Sequence, residues 1–372
     1  MKLAIIGAST GQKALYMKAK EMGYTTLSFA WPQGAVCKDL SDKYYPISIF
    51  EMDRIVDICG DEYIEGVVSN GSDLTAKVAA YISEMLHLNG NSYQTIINIQ
   101  DKLRVREQSA CIDGLSQLWY YRYDGHQPPI YPCVCKPAVG GGKFGVSYVE
   151  SKDSFQEAIA YANKTDDVHV VIEEYIKGYE VSVETISYHG KHYIIQITDK
   201  VSSGPPHFVE LAHHQPSSLP QSSINKIHMV VPKLLSQIGY MNGAAHIEMK
   251  ITEDGKLYLI EVNARGGGDH ISDSLVRLST SYDYIKAMID VATNSFCEPK
   301  VQSIANSGIF FLCKQTSFLL PIFMDADSQP WLVEKNIGSF ELVHSVDNYS
   351  RNGYIIYKSD HRIQPAIIDN HA

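Results

Sequence analysis

The chain is short of cysteine, of long apolar runs and of positive charge, and each shortfall excludes something. Seven cysteines are scattered through 372 residues with no zinc-site spacing. Cys133 and Cys135 stand two apart in an apolar run, as neighbouring strand positions do, so reduced, buried thiols are expected. The apolar start, residues 1–7, is interrupted by Gly, Ser and Thr too soon for a signal-peptide core, and no later run reaches membrane-spanning length. A cytoplasmic protein with no membrane partner is expected. Acidic residues number 42 against 32 basic, a formal charge of −10, which disfavours a nucleic-acid partner and leaves phosphate binding to local clusters. The nicotinamide fingerprint is missing: the turn Gly7-Ala8-Ser9-Thr10-Gly11 lacks its glycine spacing, and the second strand ends at Phe29-Ala30-Trp31 with no acid for a ribose.

What is present is a 45% hydrophobic chain, long enough for two or three intimate lobes. The fold class expected is α/β and α+β. Strands at 3–6, 25–30, 44–49 and 66–68 alternate with helices at 12–21, 53–59 and 73–86, the pattern of a parallel sheet. This first lobe is taken as residues 1–92. A small α+β lobe is taken as 93–178, with strands at 134–136, 146–149 and 168–174 and a helix at 154–162. Residues 179–372 form a third stretch dominated by antiparallel hairpins, 181–188 with 191–199 and 244–251 with 257–262. Between the hairpins, 202–223 is rich in Ser, Pro and His and is expected to be an irregular substrate loop.

Four segments carry chemistry. Glu248 precedes Glu261-Val262-Asn263 by thirteen positions, with Arg265 two further on. A hairpin makes the two acids neighbours, and two carboxylates with an amide oxygen suit magnesium, which takes hard oxygen ligands. Arg265 then offsets charge on a transferring phosphoryl group. The alternative is an exposed hairpin with scattered acids. Glu173-Glu174-Tyr175-Ile176-Lys177-Gly178-Tyr179-Glu180 follows a strand and suits a purine slot: backbone groups of Tyr175 and Ile176 read the base, and Glu180 accepts from ribose hydroxyls. An acidic strand end turning at Gly178 is the bland alternative. Lys136 precedes Gly140, Gly141 and Gly142, a flap whose amides approach phosphate oxygens; no Gly-Lys-Ser/Thr ending follows, so it is no Walker loop. Lys102 opens a helix after Asp101. His207, His213 and His214 with Glu210 invite a zinc reading that their spacing does not fit; substrate recognition is expected there instead.

In this order and spacing the segments resemble the ATP-grasp superfamily over residues 1–300, with an N-terminal Rossmann-like lobe preceding the ATP-grasp fold. The resemblance implies ATP and Mg2+, with Mn2+ as a substitute, as cofactors. It places Lys102, Lys136 and the glycine flap on the phosphates, Glu173, Glu174, Tyr175 and Ile176 around the adenine, Glu180 on the ribose, Glu248, Glu261 and Asn263 on the metal, and Arg265 on the transferred phosphate. After Asn263 the chain reads Ala264-Arg265-Gly266-Gly267-Gly268-Asp269-His270. Biotin carboxylases share the Asn-x-Arg start but carry Gln, Val and Glu where Gly267, Gly268 and Asp269 stand. The ending is similar to dipeptide-forming L-amino-acid ligases, of bacilysin and carnosine type. That likeness implies a carboxylate–amine ligase working through an acyl phosphate, with Glu210, His213, Gly267, Gly268 and Asp269 at the small-molecule substrates and a homodimer as its assembly. A carboxylating or purine-pathway enzyme of the same superfamily, and an ATP-binding sensor without turnover, are the alternatives. Beyond about residue 300 no chemistry is expected.

Overall fold

A computed structural model describes residues 1–164 and 169–364. The first lobe is a parallel sheet of β1 (Lys2–Ile6), β2 (Thr25–Phe29), β3 (Lys43–Tyr45) and β4 (Gly66–Val68), in the order β3-β2-β1-β4. β3 is shorter than the expected 44–49, and Pro46, which cannot donate to a ladder, follows it directly. The order reverses between β1 and β4, so their carboxyl ends open onto a crevice, the usual ligand-binding place in such sheets.

Four antiparallel strands, β5 (Tyr120–Arg122), β6 (Cys133–Pro137), β7 (Ser147–Val149) and β8 (Val170–Glu174), form a second sheet in the order β5-β8-β6-β7. Cys133 and Cys135 are both buried on β6 as free thiols. Val168, the expected start of β8, lies outside the described residues.

The third sheet holds β9 (Tyr179–Tyr188), β10 (Lys191–Ser202), β11 (Glu210–Gln215), β12 (Gly243–Ile251), β13 (Leu257–Asn263), β14 (Asn306–Leu312), β15 (Leu332–Ile337) and β16 (Gly353–Ser359). Their order is β13-β12-β9-β10-β11-β14-β16-β15. The irregular loop expected at 202–223 is therefore corrected. β11 runs through it between β10 and β14, and helix Gln221–Gln237 starts inside it. His and Gln stand where strands usually carry β-branched residues, which hid the strand.

One face of this sheet packs on helix Gln221–Gln237 and on the helices Tyr93–Gln100 and Lys102–Ser109, through Ile96, Ile99, Val105, Val230 and Leu234. The other packs on helix Tyr284–Ala292, which also meets the N-terminal helix Lys13–Glu21. The helix bearing Lys102 is thus anchored to the large sheet. Among the described residues no helix is long and apolar enough to cross a membrane.

Candidate active site

Strand register does most of the assembly. On β12, Glu248 faces Glu261 of β13 on one side and Ser182 of β9 on the other. His246 faces Asn263 and Glu184, and Glu180 faces Lys250 of β12 and Lys200 of β10. Side chains two apart on a strand share a face, so three rows of polar groups lie across four neighbouring strands.

Burial forces these groups to pair. Lys200 Nζ lies 2.6 Å from Glu248 Oε1, 2.9 Å from Glu210 Oε1 and 3.7 Å from Glu180 Oε1. Burial alone would lower its pKa, but the three carboxylates outweigh that and raise it well above the usual lysine value. His246 Nδ1 approaches Glu184 Oε1 at 2.5 Å, and Nε2 approaches Glu248 Oε1 at 3.3 Å. Burial disfavours the imidazolium; the two glutamates overcome this and push its pKa up to about 9. Glu184 also accepts from the Gly267 amide at 3.0 Å. A side chain at Gly267 would crowd this pair, since a Cβ there would lie 2.8 Å from His246 Nδ1 and 2.9 Å from Glu184 Oε1.

The expected metal residues come together. Glu248 and Glu261 are register partners, and Asn263 Oδ1 accepts from Arg265 at 3.4 Å. Lys102 Nζ sits 3.1 Å from Glu261 and donates to the Gly140 carbonyl at 2.6 Å, tying the flap to the acids. Arg265 pairs with Asp73 Oδ1 at 2.8 Å, at the start of helix Asp73–Met85. A Cβ on Gly141 would come 2.9 Å from that same aspartate's other oxygen, so a larger residue there would press on Asp73. Gly142 carries a positive φ of 69° within the flap. Two carboxylates and an amide oxygen, with no sulfur, form a hard donor set that fits magnesium or manganese.

The segment expected to hold adenine divides. Glu173 is buried and bound at both oxygens by Arg106, 3.0 and 3.1 Å, with Lys136 Nζ at 2.6 Å. Burial would raise its pKa, but the two cations hold it at about 2. Glu174 accepts from the Trp119 amide at 3.2 Å and so faces β5. Tyr175 packs edge-on to Tyr148 with ring centroids 4.9 Å apart, and Phe208 lies 6.3 Å away. The Ile176 carbonyl accepts from Lys250 at 3.2 Å.

The expected substrate residues gather at the far end of the polar rows. His213 Nε2 lies 2.8 Å from Glu210 Oε2 and 3.6 Å from Asp269 Oδ2. The first approach falls outside hydrogen-bond geometry, so charge holds the pair. Glu210, His213 and Asp269 each place a ligand atom within 4.8 Å of the others. A dication there would meet Lys143 at 3.1 Å and Lys200 at 2.9 Å from Glu210, and Arg351 at 2.7 Å from Asp269. Three cations around two acids disfavour a dication there; burial also disfavours the imidazolium, but Glu210 and Asp269 outweigh it and raise the His213 pKa. Beside them a cavity of about 310 Å³ is lined by Thr10, Gly11, Asn70 and Gly71 of the first lobe, by Gly267, Gly268 and Asp269, and by residues of 311–354.

The description ATP-grasp domain belongs to a family profile that matches residues 130–273, the window that holds the flap, β8, β9 and the β12–β13 pair. The chain carries an ATP-grasp domain. A D-alanine–D-alanine ligase of Phocaeicola vulgatus is 30% identical over 173 residues, 44% of this chain and 52% of that protein. The alanine–anticapsin ligase of Bacillus subtilis is 22% identical over 295 residues, 68% of this chain and 62% of that one. The chain spans about half the length of the curated relatives it matches. Among solved structures, an L-amino acid ligase from Bacillus licheniformis superposes with a TM-score of 0.81 at 21% identity, covering 97% of this chain and 93% of that one. That likeness extends the shared fold over 97% of the chain.

Lys200, His246, Glu184, Arg106 and Arg351 pair with the expected residues or with one another but were not foreseen. A usable signal did exist for the first three. Glu180-x-Ser182-x-Glu184, Gln196-x-Thr198-x-Lys200 and His246-x-Glu248-x-Lys250 each alternate polar with mostly apolar residues, a period-two pattern with a polar face.

Proposed function

We propose that the protein is an ADP-forming carboxylate–amine ligase that joins an amino acid to a second amino acid or amine. The observation that carries the reading is the Glu248–Glu261 register pair, with Lys200 on Glu248, Lys102 on Glu261 and Arg265 on the neighbouring Asn263.

Tyr175 and Ile176 would hold adenine through their backbone, and Glu180 the ribose. Lys102, Lys136 and the amides of Gly140–Gly142 would hold phosphate oxygens, with Glu173 and Arg106 fixing Lys136. Glu248, Glu261 and Asn263 fit magnesium or manganese, which when bound supplies charge neutralisation at the phosphates. A substrate carboxylate oxygen attacks the γ-phosphorus and the bond to ADP breaks, while Arg265 and Lys200 stabilise the spread charge. The amine nitrogen then attacks the acyl carbon, phosphate leaves, and the nitrogen loses a proton. Glu210, His213 and Asp269, with the Gly267–Gly268 turn, would position the carboxylate and amine. Closure of the flap through Lys143 would exclude water from the acyl phosphate.

The test is ADP and phosphate release from ATP and magnesium across pooled L-amino acids, short peptides, hydroxy acids and bicarbonate, with mass spectrometry of each mixture. Release that requires an amino-acid pool, with a new mass equal to two substrates less water, is expected. Release with bicarbonate alone points to a carboxylating enzyme, and tight nucleotide binding without release points to a sensor; either sinks the proposal.

A further inference from the structure

The cavity between the first lobe and the large sheet has its charges matched in pairs. Besides Tyr354, whose hydroxyl donates to Glu334, the ionisable side chains that line it are Asp269, His270, Asp273 and Arg351. Arg351 grips both oxygens of Asp269, at 2.7 and 2.9 Å. Its remaining contacts are also internal: Nε donates to the Asn348 carbonyl at 2.6 Å and Nη1 to the Glu210 carbonyl at 3.2 Å, while the guanidinium lies 3.6 Å over the Phe311 ring. His270 Nδ1 lies 3.4 Å from Asp273. Each cation thus has its own acid.

What is left over is an acceptor. Asn70 is 4% exposed and lines the cavity, yet its Oδ1 has no hydrogen-bond partner. A buried acceptor without a partner is costly, and a ligand N–H answers it. The walls are otherwise open: a Cβ on Gly268 would touch nothing, and Asp269 and His270 adopt positive φ values of 49° and 62°. Consecutive non-glycine residues in that region concentrate where a site is being shaped.

We infer that this cavity takes the amino substrate, and that Asp269, by masking Arg351, makes it select a neutral or cationic amine and reject one with an anionic side chain. This rests on the ligase reading. An acidic side chain entering the cavity would meet Asp269 and Asp273 with no free cation to receive it, and like charges brought together in a partly desolvated site are strongly disfavoured. Asp269 is then a specificity determinant, and Arg351 the latent anion site it covers.

The experiment compares L-glutamine with L-glutamate, which have nearly the same shape and differ by one charge. Each is titrated calorimetrically into the protein saturated with magnesium and a non-hydrolysable ATP analogue, and nucleotide binding is measured first. Wild type should bind glutamine at least about tenfold more tightly than glutamate. Asp269→Asn, which keeps the shape and frees Arg351, should narrow or invert that ratio by about tenfold, and adding Arg351→Met should cancel the gain. Equal binding of the two amino acids by wild type, binding of neither, or an unchanged ratio in Asp269→Asn would overturn the inference. Should the variant not fold, the wild-type ratio decides alone. Binding is read here without turnover, so loss of nucleotide binding or of ADP release marks failure of the ligase reading separately.

Discussion

The two ends of the site are built in different ways. The end proposed to hold phosphate sits on β9, β10, β12 and β13, adjacent strands of one sheet, where register brings Glu248 to Glu261 and Lys200 to Glu180. The cavity end is stitched from segments far apart in the chain: Thr10–Gly11, Asn70–Gly71, Gly267–Asp273 and a stretch near Arg351. A sheet supplies position through period and pairing, so a charged group placed there is fixed by its neighbours along the chain. A cavity between lobes is fixed only by tertiary packing. The first end should therefore be rigid and costly to alter, the second adaptable.

The heaviest test of that contrast falls on Arg106. Replacing it with Met leaves Glu173 buried against Lys136 alone, and breaking a buried pair from one side costs roughly 3–5 kcal/mol. Denaturant unfolding should show a loss of that size. The acid limb carries its own signature. Glu173 has a folded pKa of about 2 against an ordinary value of 4.5, so its contribution is present above the ordinary value and is lost as pH falls through 2. In Arg106→Met that acid-side loss should shrink, and an unchanged acid limb would mean that the clamp is not what holds the carboxylate.

Next in size are Glu248→Gln and Glu261→Gln. Each keeps the strand and removes one hard, charged donor; loss of one preorganised electrostatic group costs about 10²–10³ in kcat. Single-turnover ADP release should fall by that factor while glutamine binding in the cavity holds, because the two ends are separately built. Wild-type rates in either variant would remove the metal assignment. Gly267→Ala comes third, at the seam between the ends. Its new Cβ would press on His246 and Glu184, both buried, and overpacking of this kind costs about 1–3 kcal/mol. Thermal unfolding should show it, and a neutral result would mean that the charged pair can move.

The same contrast explains what could be read in advance. The parallel lobe, the two hairpins and the pairing of Glu248 with Glu261 were legible because period-two strands and a tight turn fix relative positions along a short stretch of chain. Lys200 and His246 were equally local, but a lysine or histidine on a strand reads as solvated until its burial is known. β11 was missed because Ala212, His213, His214 and Gln215 are buried without the composition of a buried strand. Arg351 was out of reach altogether: it meets Asp269 across 82 residues of chain, and nothing in its neighbourhood distinguishes it from a surface arginine.

The smallest effect expected lies where an aromatic pair joins the flap to the C-terminal stretch. The rings of Phe144 and Tyr349 stack with centroids 6.4 Å apart, and both are exposed. Lys143, beside them, reaches the Phe208 carbonyl at 2.5 Å and Glu210 at 3.1 Å. If flap closure is driven mainly by Lys143, deleting the stack in Tyr349→Ala should forfeit only about 0.5 kcal/mol, the low end for an aromatic pair. That corresponds to roughly a twofold rise in the KM for ATP, whereas Lys143→Met should raise it several times more. Equal effects from the two variants would make the C-terminal stretch a partner in closure. The adaptable end would then reach into the rigid one, and the division between them would have to be redrawn at residue 349.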